Sequence, residues 1–300
     1  MNDSQLKKFD RARILIKNGK AHAAATILAK LNDEVDEFRI NRALVAANLA
    51  DHQYMAARRL AEERVSDYLK EKSDAQLLIR VELADQQFMT ARRQIAKLPQ
   101  WSVQLMPLVK DAEENALATM NTSLRERWRE FYHLGDTSFK EQQRRMSVAN
   151  RLPLSYYLKG AMFLLRDPFT NPLIRASLLE NLQPLKIQQN VKVYWIDEQE
   201  HDLNLADLQA IDSMGVVQQL RQQIADKYAN QDPVSLQTAQ RELNLQLIYL
   251  YPFIDVAVTD PNSWVTALTS SGQLVKPNHS VEKALDWQRK INRLVTRISH

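Results

Sequence analysis

Arg58 and Arg59 recur as Arg92 and Arg93 in a second copy of the same local sequence, so the chain carries two arginine pairs in equivalent positions. A guanidinium presents a planar fork of N–H donors that grips a carboxylate through two parallel bonds. Two such rows could clamp an acidic peptide or a chain-terminal carboxylate. The competing reading makes them outer-face residues neutralised by Glu62, Glu63 and Asp85. His201 stands beside Glu198, Glu200 and Asp202, a grouping with the residue types of acid–base chemistry. The preferred reading of WIDEQEHD is a solvated acidic hairpin tip. Asp255 and Asp260 could pair as carboxylates, but Asp260 opens a turn before Pro261 and IDVAV reads as buried connecting chain. RERWREFYH (125–133) mixes arginine with aromatics, as base-stacking surfaces do. At helical spacing Leu124, Trp128 and Phe131 fall on one face, which makes it an ordinary amphipathic helix.

Other chemistries lack their residues. Glycines at 19, 135, 160, 215 and 272 supply neither GxGxxG nor a phosphate loop. Histidines at 22, 52, 133, 201, 279 and 300 form no HExxH, no serine lies in a GxSxG elbow, and there is no cysteine. No catalytic residue, metal site or cofactor is therefore expected. The N-terminus lacks the pattern of a secretory signal and no apolar run is long enough to span a membrane, so a cytoplasmic protein with no membrane association is expected. Residues 1–150 hold 25 Lys+Arg against 21 Asp+Glu, and residues 151–300 hold 15 of each. Acidic residues are interleaved throughout, so nucleic-acid binding is not the first reading.

The elements that position the arginines repeat as a block. ANLADHQYMAARRLAEE (47–63) returns as VELADQQFMTARRQIAK (81–97), with eight of 17 positions identical. A period of 34 in an Ala-rich helical sequence is that of a stacked helix–turn–helix unit. One such unit cannot bury its apolar face alone, so it stacks on its neighbours. A third copy, displaced by 33, aligns Ala24 with Ala57 and Ala91. The turns fall at Asn18-Gly19, Asp51-His52 and Asp85-Gln86, residues that stop one helix and cap the next.

Residues 4–98 resemble a tetratricopeptide (TPR) array. The family's second helix places an aromatic, then a small residue, then a larger apolar one. Tyr54, Ala57 and Ala61 match that pattern in part, as do Phe88, Ala91 and Ile95, and more loosely Ala21, Ala24 and Leu28. The family's first-helix Trp is not evident, and Pro99 comes earlier than its closing proline. The resemblance implies that second helices form the outer side, which favours the structural reading of Arg58, Arg59, Arg92 and Arg93. It also implies that first helices line a concave groove, with Arg39, Arg42, Gln76 and Arg80 as the candidate partner-binding residues. A basic lining would suit an acidic or carboxylate-ended ligand. LLRDPFTNPLIRASLLENL (164–182) resembles segments of uncharacterised TPR-containing proteins of low-GC Gram-positive bacteria, which carry no activity over.

Beyond residue 98 the pattern stays helical through 132. HLGDT (133–137) marks the internal boundary, with Ser138 and Glu141 placed for a capping box. Three helices are expected over 138–185, Asn171-Pro172 starting the last. NVKVYWID (190–197) alternates and is rich in β-branched and aromatic residues, so it is the first strand of a hairpin near 190–205. Helices are expected again at 206–212, 214–229, 233–250, 261–270 and 280–298. Asp232-Pro233, Asp260-Pro261 and Ser280 read as starts, and Arg293, Arg297 and His300 suit a helix C-terminus.

The expected fold is all-α: a TPR-like α-α superhelix over 1–132, followed by a helical region over 133–300 with one small β-hairpin. The expected function is a non-catalytic adaptor binding a protein or peptide partner in the groove. The alternative is a regulatory factor associated with nucleic acid through basic helix faces.

Overall fold

A computed structural model describes residues 1–228, 233–269 and 278–298. Asp232 and His300, and the side chain of Arg297, expected as helix-terminal signals, lie outside the described residues. Those described fold into seventeen α-helices, short 3-10 turns and one two-stranded sheet.

The N-terminal helices are α1 (Asp3–Lys17), α2 (Ala21–Glu34), α3 (Phe38–Ala50), α4 (Tyr54–Glu62), α5 (Val65–Tyr68), α6 (Lys72–Ala84) and α7 (Phe88–Ala96). The start of α6 follows that of α3, and the start of α7 that of α4, by the same offset that relates the two sequence copies. The sequence period is therefore a period of backbone geometry. One turn joins each pair. In all three, a residue with positive φ follows the helix: Gly19 at 71°, His52 at 58° and Gln86 at 60°. The amide of that residue donates three residues back, and the next amide donates five residues back. Gly19 thus bonds Ile16 O and Lys20 bonds Leu15 O; His52 bonds Leu49 O and Gln53 bonds Asn48 O; Gln86 bonds Leu83 O and Gln87 bonds Glu82 O. This is a Schellman cap, which satisfies the last helix carbonyls. Its final residue also precedes the next helix, so the hairpin closes with no spare chain.

Small side chains set the spacing between hairpins. Ala24, Ala57 and Ala91 are completely buried, as are Leu28, Ala61 and Ile95 one turn further on. Consecutive helices pack in chain order, α1 on α2, α2 on α3 and α3 on α4, then α4 on α6 and α6 on α7. The single-turn α5 is inserted between α4 and α6. It buries Tyr68, whose hydroxyl donates to Asn41 Oδ1 at 2.9 Å. Its pattern is too short to stand out by periodicity.

The chain continues through α8 (Ser102–Thr119), α9 (Asn121–Tyr132), α10 (Phe139–Ala149), α11 (Leu154–Arg166) and α12 (Pro172–Leu182). Ser138 caps α10, accepting from the Glu141 amide, while the Glu141 carboxylate turns to Arg144 and Arg145. Asn171 caps α12 through the Leu173 amide, with Pro172 at the first helical position. The hairpin follows as β1 (Asn190–Tyr194) and β2 (Glu200–Asn204), antiparallel with Val193 opposite His201. Then come α13 (Gly215–Tyr228), α14 (Pro233–Leu250), α15 (Ile254–Ala257), α16 (Pro261–Thr269) and α17 (His279–Ile298).

Two local expectations change. Residues 206–212 form no helix but two 3-10 turns, Leu205–Asp207 and Ile211–Ser213. The Asn204 side chain caps the first through Ala206, and Leu208, buried in extended conformation, separates them. The connecting chain at IDVAV contains the single turn α15, with Ile254, Ala257 and Val258 buried.

The chain packs as two units. One is Met1–Trp128 with Val148–Tyr157; the other is Arg129–Ser147 with the chain from Leu158 onward. Residues 148–157 thus join the first unit, beyond the 132/133 boundary suggested by the sequence.

Candidate functional site

On α3 the side chains at 39, 42, 43 and 46 are exposed or half-buried. On α6 the same holds at 73, 76, 77 and 80, the equivalent positions of the next repeat. Both first helices therefore offer the same i, i+3, i+4, i+7 stripe. Arg42 and Gln76 occupy one register position on neighbouring hairpins, and Arg39 and Arg80 extend the stripe.

The charge of that stripe is mixed rather than basic. Arg39 Nε donates to Glu37 Oε2 at 2.6 Å, and its guanidinium lies 5.9 Å from the Phe9 ring centre. Arg42 Nε donates to the Asp74 carboxylate. Glu37 sits just before α3 and Asp74 in the first turn of α6, where helix dipoles favour acids. Gln76 is half-buried. Arg80 is exposed and makes no ion pair among the described residues.

The two arginine rows are divided differently. Arg58 Nε donates to Asp85 Oδ2 at 2.8 Å, and its Nη1 bonds Glu62. Arg92 meets Glu113 on α8 through two parallel bonds of 2.8 Å each. The first row thus ties α4 to the turn after α6, and α7 to α8. His22 makes a similar reach to Asp51, at 2.9 Å. In the second row Arg59 is exposed, while Arg93 donates to Asn150 Oδ1 and Thr90 Oγ1. The returning segment 148–157 produces this asymmetry. Asn150 O accepts the Met89 amide, Arg151 bonds both oxygens of Asp85, and the Leu154 amide donates to Glu113 Oε1. Glu113, Asn150 and Arg151 lie outside the repeat and carry no local motif, so no spacing argument could find them.

Glu82 sits beneath this ion-pair layer. It is fully buried, and neither carboxylate oxygen has a hydrogen-bond partner among the described residues. Burial, with the Glu62 charge nearby, pushes its pKa up to about 7. Its counterpart in the preceding repeat is Asn48, a neutral residue, so the substitution is visible in the repeat alignment.

The acidic hairpin does not converge on His201. Alternation along β2 sends His201 and Asp202 to opposite faces. The His201 partner is Asp197, 2.8 Å from Nε2. Its ring packs on Trp195 and Phe253, and Trp195 Nε1 donates to Leu250 O at 3.0 Å. Glu200 instead receives Arg166 through two bonds. Asp260 accepts from the Asn262 and Ser263 amides and caps α16, while Asp255 is exposed. In α9, Leu124 and Phe131 are buried and Arg125 and Arg129 are exposed, as for an amphipathic helix.

No protein-family model, curated protein or solved structure matches the chain. Among the described residues no helix is long and apolar enough to cross a membrane, and no group of His, Asp and Glu is placed to hold a metal ion.

Proposed function

We propose that the N-terminal unit is a non-catalytic protein–protein interaction adaptor with a TPR-like stacked array. The face shared by α3 and α6 binds an extended peptide or protein segment. The observation that carries this reading is the accessible stripe at matching positions of both helices, Arg39 and Arg42 with Gln76 and Arg80. Buried alanines and closed turns hold the two helices in place, so little ordering entropy is lost on binding. Arg80, with no carboxylate partner among the described residues, is the contact for an acidic side chain or terminal carboxylate of the partner. Gln76, one turn before Arg80 on α6, and Arg42 at the equivalent position of α3 supply further polar contacts.

Affinity capture with the intact chain tests this, comparing the wild type with a Gln76→Glu/Arg80→Glu variant. The expected result is loss of a captured protein, with hydrogen-exchange protection in the wild-type complex confined to α3 and α6. Equal capture by the variant, or protection elsewhere, overturns the proposal. Capture that disappears with nuclease and falls steeply with added salt would instead favour nucleic-acid association through basic helix faces.

A further inference from the structure

Arg175 on α12 is an unusually placed cation. It is only 5 % exposed, and its one side-chain hydrogen bond among the described residues runs from Nη1 to the carbonyl of Asp167, at 2.8 Å. Its guanidinium lies over the Tyr194 ring, 5.3 Å from the centre. No carboxylate forms an ion pair with it among the described residues. Burial lowers its pKa to about 10, so it remains charged at neutral pH. The Asp167 carboxylate acts on it only through space, without an ion pair, and a guanidinium left with free donors is a site for an anion.

Arg175 opens into a cavity of about 250 Å³ in the second unit. Two more cations reach the same cavity from α17. Lys290 and Arg293 are three residues apart, so they share one helix face, and neither forms an ion pair among the described residues. Glu198 is the only acid among the lining residues, leaving three cations against one anion. Pro172, Trp195, Ile196 and Leu294 supply the apolar part of the wall. Apolar walls lower the local dielectric and strengthen the attraction for an opposite charge.

We propose that this cavity is a binding site for a small organic anion, its carboxylate or phosphate group held by Arg175, Lys290 and Arg293 and its apolar body set against Trp195. The site lies apart from the α3–α6 face and does not depend on the adaptor reading. A cavity of this volume holds a group of small-molecule size.

The test uses the full chain with two probes, inorganic phosphate and benzoate, titrated calorimetrically at millimolar concentrations. The variant is Lys290→Gln/Arg293→Gln, at one half-buried and one exposed position; its thermal unfolding is followed in parallel to establish that it folds. The expected result is saturable binding of at least one probe, weakened about tenfold or more in the variant. Tighter binding of benzoate would identify the apolar wall as part of the site, and binding of phosphate alone a site for the headgroup. An Arg175→Lys variant, which keeps the charge but loses the planar fork, is expected to bind more weakly than wild type. The inference is overturned by absence of saturable binding of both probes, or by equal binding in the folded double variant.

Discussion

Arg58 on α4 crosses from one helical hairpin to the turn of the next, where its Nε lies 2.8 Å from Asp85 Oδ2. Arg92, its counterpart in the following repeat, reaches Glu113 in the same way. The Arg92–Glu113 pair is the more enclosed: both side chains are nearly buried, and Glu113 also accepts the Leu154 amide. Removing one partner of a buried pair leaves the other charge unpaired, which costs about 3–5 kcal/mol when burial is complete. Arg92→Ala is therefore expected to cost about 3 kcal/mol in urea unfolding, with Arg92→Met/Glu113→Leu recovering much of it. A loss no larger than that of an exposed pair would contradict this account.

Ala57 and Ala91 are buried where hairpins touch. A leucine at either position overfills the contact, at a cost of about 1–3 kcal/mol. Unchanged thermal stability in Ala57→Leu or Ala91→Leu would count against the hairpin packing.

Two of the three turns make an opposed pair of tests. Gly19 has open space around the position of a Cβ, so Gly19→Ala is penalised only by its left-handed backbone, at about 1 kcal/mol. His52 adopts the same conformation with a side chain, and its ring bonds Tyr54 Oη. His52→Gly is expected to gain about 0.5 kcal/mol after that exposed contact is lost. Unfolding curves that move in the same direction for both variants would contradict the shared geometry.

Glu82 makes stability depend on pH. Its pKa rises from 4.5 unfolded to about 7 folded, so the native state binds the extra proton between these values. Stability contributed by the protonated form is complete below pH 4.5 and lost as pH rises through 7, by about 3 kcal/mol in all. Glu82→Gln keeps the shape and removes the titration. The variant should be more stable than wild type at pH 8, with the slope between pH 5 and 7 reduced. A parallel pH profile for the two proteins would rule this out.

The repeat is legible in the sequence because it is written locally: Asp51 and Asp85, Ala57 and Ala91, and the paired turns each recur in register. The hairpin is legible for the same reason, through the alternation of NVKVYW. What escapes a sequence reading depends on chain that is distant in sequence. Asp74 neutralises Arg42 across 32 residues, and Arg151 reaches Asp85 across 66. Arg175 reads as one polar letter in the helical run LIRASLLENL, and only the fold brings Lys290 and Arg293 to its side. The stretch 206–212 reads as a helix although its apolar residues anchor turns rather than one helix face.

Residues 148–157 complete the first unit, yet they are synthesised after 129–147, which pack with the second. The ribosome therefore cannot finish the N-terminal piece before starting the next. A nascent chain stopped at residue 132 lacks Arg151, Asn150 and the Leu154 amide, leaving Asp85 and Glu113 short of partners. The boundary that looks natural for expressing a fragment is the wrong place to cut, and a self-sufficient N-terminal product has to run at least to Tyr157.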